Sequence, residues 1–63
     1  MNEPAKALEF IIRAEKMANE IGSRADLKEI YQSRAEIEQQ AGNYKTAGEY
    51  FSKTLILVAL ISL

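Results

Sequence analysis

The chain of 63 residues contains no cysteine and no histidine. These absences exclude disulfide bonds, thiol nucleophiles, zinc sites that use cysteine, and imidazole groups for acid-base catalysis. A single small domain, spanning 1–63, buries only about 60% of the surface that its unfolded chain exposes. With disulfides and metal excluded, contact with a partner or with a second copy is the remaining source of extra stability.

Charge of one sign is also lacking, because the 8 lysine and arginine residues nearly balance the 9 aspartate and glutamate residues. The cations are spread along the chain, whereas nucleic-acid binding relies on clustered cations that meet phosphates. The sequence therefore argues against a nucleic-acid partner. The N-terminus "MNEPAKAL" lacks the features of a secretory signal, so we expect a cytoplasmic protein.

No arrangement of residues in the chain is typical of an enzyme. Glu36 and Glu38 are two positions apart and diverge on a helix, so they cannot act together on one bond. The three glycines are scattered and form no phosphate-binding loop. We expect no catalytic residue, no cofactor-binding residue and no metal ligand.

Hydrophobic periodicity predicts an all-α fold of three helices, at about 4–21, 24–41 and 44–61. The links of two or three residues make each helix antiparallel to the next. Gly22 and Gly42 suit the left-handed position that follows a helix. Ser23 with Asp26 resembles a capping box, and the Asn43 side chain can cap the third helix.

The apolar positions predict which side of each helix faces inward. On the first helix they are Ala7, Ile11, Ala14, Ala18 and Ile21, with Phe10 and Met17 widening the face. On the second they are Leu27, Ile30, Tyr31, Ala35, Ile37 and Ala41. On the third they are Tyr44, Ala47, Phe51, Thr54, Leu55 and Val58.

Two polar pairs stand one helical turn apart. Glu49 and Lys53 are predicted to pair on the outside of the third helix. Arg34 and Glu38 lie beside the apolar stripe of the second helix. We interpret them as a partly exposed pair that contributes little to stability, the alternative being a polar contact with a partner helix.

An internal repeat relates "KALEFIIRA", residues 6–14, to "TAGEYFSKT", residues 46–54. At a spacing of 40, small, acidic, aromatic and large apolar residues coincide. The small residue of each copy allows a neighbouring helix to approach closely, and the bulky residue one turn later fills the space beside it.

The chain resembles the tetratricopeptide repeat family, whose helix-turn-helix unit of about 34 residues has the pattern W-x2-L-G-x2-Y, A-x3-F, P. The resemblance covers about one and a half repeats and implies a three-helix antiparallel array. It rests on Tyr31, Ala35, Gly42, Tyr44, Ala47 and Phe51. The chain departs from the pattern at Arg34, Glu38 and Ala59, which stand where leucine, tyrosine and proline are typical.

By this resemblance, one side of the second helix forms the concave surface that binds extended peptides in such arrays. Its residues are Glu29, Gln32, Glu36, Gln39 and Gln40. Acids and amides at these positions favour a basic or polar peptide. The alternative is an ordinary solvated helix face.

The C-terminal "TLILVALISL" carries no charge. As a helix it spans roughly 15 Å, too short for a hydrocarbon core of about 30 Å, so we do not expect it to cross a membrane. Its large aliphatic side chains predict self-association, most simply as a two-fold dimer. The predicted contact residues are Leu55, Leu57, Val58, Leu60, Ile61 and Leu63. We therefore predict a protein-interaction module, the alternative being a small assembly subunit whose tail docks into a larger, membrane-associated or soluble complex.

Overall fold

The computed structural model describes residues 3–62, and this part of the chain contains helices and no strand. Helix α1 spans Pro4–Ile21, α2 spans Arg24–Gln40 and α3 spans Tyr44–Ser62. The predicted all-α fold is confirmed, with boundaries that differ from the predicted ones by at most one residue. Leu63, one of the predicted contact residues, lies outside the described residues.

The first turn of the chain ends α1 and begins α2 as the sequence predicts. Gly22 has a φ of 77°, in the left-handed region, and its backbone N–H donates to the carbonyl of Ala18 at 2.8 Å. The Ser23 hydroxyl oxygen accepts a hydrogen bond from the backbone N–H of Asp26 at 3.3 Å. This hydrogen bond satisfies one of the amides that a helix start leaves free.

In the second turn, the prediction for Gly42 is confirmed and the prediction for Asn43 is not. Gly42 has a φ of 85°, which a residue with a Cβ rarely adopts. The side-chain amide of Asn43 donates to Glu38 Oε1 at 3.0 Å. Among the described residues no backbone amide of α3 donates to the Asn43 side chain, so the predicted cap is wrong. The backbone carbonyl of Asn43 accepts from the N–H of Ala47 at 2.9 Å and starts α3. Asn43 thereby ties the turn to the end of α2.

Helix α2 lies at the centre, because α1 and α3 each pack against it while the described parts of α1 and α3 do not approach each other closely. The packing of α3 on α2 is antiparallel. Asn43 contacts Glu38, and Tyr50 contacts Arg34, so that positions further along α3 meet positions further back on α2. The short links predicted this arrangement.

Small residues allow the close approach of α2 and α3. Ala35 on α2 and Ala47 on α3 are buried, and the larger Tyr50 and Thr54 fill the space between the two helices. The Thr54 hydroxyl donates to the carbonyl of Tyr50 at 2.9 Å, so it is buried without an unsatisfied donor. On the α1 side, Ala18 is the buried residue.

The predicted inward face of α3 is partly wrong. Ala47 and Thr54 face α2, but Tyr44, Phe51, Leu55 and Val58 are exposed. These four residues lie on one side of the helix, centred roughly 80° around its axis from the buried positions. Because α3 is apolar on nearly every side, periodicity alone did not determine which stripe packs against α2.

The predicted inward face of α1 is also partly wrong. Ala18 turns toward α2 as predicted, and Ile11 and Ala14 are half-buried. Phe10, Met17 and Ile21 are exposed, although the sequence placed them on the inward face. Helix α1 is covered by α2 on one side and leaves a second apolar side in contact with solvent.

Candidate functional site

The predicted peptide-binding surface lies on the solvent side of α2. All five of its residues are exposed: Glu29, Gln32, Glu36, Gln39 and Gln40. They recur at steps of three and four, so they form a continuous polar strip along the helix. This strip presents carboxylates and amides to solvent.

The C-terminal half of α3 exposes large aliphatic side chains, as the sequence predicts. Exposed residues are Leu55, Ile56, Val58, Leu60 and Ile61. Leu57 is half-buried on the side of α3 that faces α2, so it is less available to a partner than the sequence suggested. Within residues 3–62, no helix combines the length and the apolar character that crossing a membrane requires.

A third surface, which sequence reasoning missed, is an open groove of about 400 Å³ between α1 and α2. Its walls are mostly apolar and include Met17, Ile21 and Ile30. Asp26 and Glu29 of α2 also line it and place two carboxylates beside this apolar surface. The exposed apolar residues of α1 were the available signal, but the sequence assigned them to the core.

Arg34 joins all three helices. Its Nη1 lies 3.4 Å from Glu15 Oε1 of α1, and its Cζ lies 4.4 Å from the ring centroid of Tyr50 of α3. Its Nε lies 3.9 Å from Glu38 Oε2, which is an ion pair too long to be a hydrogen bond. The interpretation of Arg34 and Glu38 as a partly exposed pair is therefore wrong, since only 5% of Glu38 is exposed.

The ring of Tyr50 is the centre of an aromatic and cationic stack. Its centroid lies 5.6 Å from that of Tyr31, with the rings tilted by 54°. The Nζ of Lys53 lies 4.6 Å from the Tyr50 centroid and 5.6 Å from the Tyr31 centroid. Cations over aromatic faces are attracted by the ring quadrupole. Lys53 makes these contacts in place of the predicted pair with Glu49.

Burial, and secondarily the charge of Glu15, raise the pKa of Tyr31 above 10.0. Burial is also the first cause that raises the pKa of Tyr50, followed by Glu15, while Arg34 acts in the opposite direction. Both phenols therefore remain neutral at physiological pH and act as packing groups.

Residues 3–62 contain no cluster of three or more carboxylates that could hold a metal ion. The strongest polar cluster, around Arg34, is used to join the helices. The exposed surfaces that remain are the polar strip on α2 and the apolar side chains of α1 and α3.

Comparisons with known protein families, with curated proteins and with solved structures found no match to this chain.

Proposed function

We propose that this chain is a protein-interaction module of tetratricopeptide-like type that self-associates through the apolar surface of α3. The observation that carries this proposal is the exposure of Leu55, Ile56 and their neighbours, in a helix with no charge after Lys53. Fully burying one such side chain contributes about 1.5 to 3 kcal/mol to stability. Several aliphatic side chains that stay in water therefore leave unused a free energy as large as the total stability of a small domain.

The total surface of the chain supports association. A folded monomer of 7.1 kDa is expected to expose about 4,100 Å², from the scaling of accessible surface with mass. This chain exposes 4688 Å², about 600 Å² more than that scaling gives. A standard interface covers about 800 Å² on each partner. The excess is therefore comparable to one side of an interface.

The pattern of burial supports the repeat-like part of the proposal. Ala35 and Ala47, two small residues of the tetratricopeptide pattern, are buried where α2 and α3 approach. Phe51, the bulky residue one turn after Ala47, remains exposed. In a stack of repeats, a residue at such a position is covered by the neighbouring unit.

Sedimentation equilibrium of the full chain tests the proposal. We expect wild type to associate at micromolar concentration and Leu55→Glu to remain monomeric, because a charge would enter the contact surface. Ser52→Glu adds the same charge to the same helix at an exposed polar position, so it should associate like wild type. A monomeric wild-type chain at these concentrations would reject self-association.

The polar strip on α2 is proposed as a second contact surface, for a basic or polar extended peptide in the cytoplasm. Its five residues are exposed and therefore accessible to such a peptide.

The alternative function is a small assembly subunit whose apolar tail docks into a larger complex, and the same exposed aliphatic residues of α3 favour it. Affinity capture separates the two roles. A complex of fixed stoichiometry indicates a subunit, whereas varied peptides indicate an adaptor.

A further inference from the structure

The two outer helices are held against α2 by different amounts of buried surface. In α1, Ala18 is the one buried residue among the described side chains, and each larger apolar residue is half-buried or exposed. In α3, Ala47, Tyr50 and Thr54 are buried. Because the stabilisation from apolar burial increases with the buried area, the contact of α1 with α2 contributes less to stability than the contact of α3 with α2.

The two turns differ in the same direction. The α2–α3 turn is tied by side chains, since the amide of Asn43 donates to Oε1 of the buried Glu38. In the α1–α2 turn, the Ser23 hydroxyl oxygen accepts from the N–H of Asp26, and both of these residues stay with α2 if α1 leaves. Gly22, with a φ of 77°, bonds back to α1 through its backbone N–H. Helix α2 therefore keeps its N-terminal cap without α1, and Gly22 marks the point about which α1 can turn away.

A single ion pair joins the side chains of α1 to α2 within residues 3–62, between Arg34 Nη1 and Glu15 Oε1 at 3.4 Å. Breaking a buried pair is costly when it leaves a charge buried without a partner. Departure of α1 carries the Glu15 carboxylate into water, while Arg34 keeps Glu38 Oε2 at 3.9 Å and the ring of Tyr50 at 4.4 Å. Separation of α1 from α2 therefore strands no buried charge.

We propose that α1 is a releasable helix, which opens as a unit about Gly22 while α2 and α3 stay packed, and which the Arg34–Glu15 pair holds closed. Proteins open in cooperative units whose free energies can lie well below that of global unfolding. Release removes one wall of the groove and uncovers the side of α2 that carries Ile30. Access to this side of α2 is thereby coupled to an ion pair, whether or not the chain self-associates.

Native-state hydrogen exchange of the full chain, followed by NMR, tests the release. Once detached, an 18-residue helix is marginal in water, so its amides exchange in the open state. The central amides 10–18, 30–37 and 47–54 are compared, because helix ends fray in any case. We expect the α1 amides to be at least about tenfold less protected than those of α2 and α3. Equal protection of all three helices would overturn the proposal. Leu55→Glu repeats the comparison without any protection from association.

Ala47→Gly distinguishes release of α1 from opening of the whole chain. Ala47 is buried where α3 meets α2, and this contact is intact in the proposed open state. Glycine in a helix interior should therefore lower the protection of α2 and α3 about fivefold and leave that of α1 unchanged. A loss of protection in α1 as large as in the other two helices would mean that the chain opens in one step, which overturns the proposal.

Glu15→Gln tests the ion pair. The pair is absent both from the open state and from the unfolded chain, so its loss should lower the protection of all three helices by the same factor, about threefold. Glu9→Gln is the matched control, because it removes the same charge from an exposed pair with Arg13 and should change protection by less than about twofold. Equal effects of the two substitutions would show that the Arg34–Glu15 pair does not hold α1 closed.

Discussion

The same central helix packs differently against its two neighbours. Between α2 and α3, Ala35 and Ala47 bring the backbones close and Tyr50 fills the remaining space. Between α1 and α2, an open groove of about 400 Å³ remains. The large side chains explain the difference, because Tyr50 of α3 points toward α2 whereas Phe10 of α1 points into solvent. The two aromatic residues therefore have different energetic roles, according to which side of its helix α2 covers.

Truncation of Tyr50 is expected to have the largest effect on stability. Its ring contacts Tyr31, Arg34 and Lys53, so Tyr50→Ala removes buried area and leaves a cavity, costing about 3 kcal/mol. Phe10→Ala, at the equivalent position of α1, should cost less than about 0.5 kcal/mol, since an exposed ring has little packing to lose. For a chain of this size, about 3 kcal/mol is a large part of the total stability.

Urea unfolding followed by circular dichroism measures both substitutions. The Leu55→Glu background removes the contribution that association makes to stability. Equal losses in the free energy of unfolding for Tyr50→Ala and Phe10→Ala would contradict this comparison, because they would mean that both aromatic rings pack equally well against the rest of the chain.

The Arg34 cluster should have the next largest effect. Arg34→Leu leaves the buried Glu38 carboxylate with Asn43 as its remaining partner and breaks the pair with Glu15. Breaking a fully buried pair costs about 3 to 5 kcal/mol. We expect about 1 to 3 kcal/mol, because Arg34 and Glu15 keep some contact with solvent. The free energy of unfolding in urea gives the value.

Two further variants sharpen this prediction. Arg13→Leu breaks an exposed pair with Glu9 and should change the stability by no more than about 0.5 kcal/mol. Arg34→Leu combined with Glu38→Tyr removes both members of the Arg34–Glu38 ion pair and places apolar or aromatic side chains at both positions. The double variant should recover at least the loss of the single one, since apolar replacement of a buried ion pair is often neutral or stabilising. A double variant as unstable as Arg34→Leu would contradict this account.

The sequence predicted the elements of the fold well for local reasons. Gly22 and Gly42 end helices through their own backbone conformations, and Ser23 caps α2 through an amide three residues away. Such signals depend on neighbours in the chain, so a single sequence contains them. The helix boundaries followed from these residues to within one position.

The rotation of the outer helices could not be predicted in the same way. Helix α3 carries apolar residues on nearly all sides, so Phe51 and Tyr50 were equally suited to face α2. The choice depends on packing between helices, where Tyr50 gains Arg34 and Lys53 as neighbours. For Arg34 and Glu38 a signal was present, because the repeat pattern has large buried residues there. Their charge led to the interpretation as a partly exposed pair.

The smallest expected effect concerns Gly48, an exposed residue of α3. Its backbone is helical, and an added Cβ meets nothing within 4 Å. Gly48→Ala should therefore stabilise the Leu55→Glu monomer by about 0.5 to 1 kcal/mol, because alanine loses less backbone entropy in a helix. Gly22→Ala is the control of opposite sign, since the φ of 77° at that position disfavours any Cβ.

Urea unfolding followed by circular dichroism measures both glycine substitutions in the Leu55→Glu background. A loss of stability on Gly48→Ala would contradict the account, because it would mean that the added methyl group meets a neighbour at this position of α3.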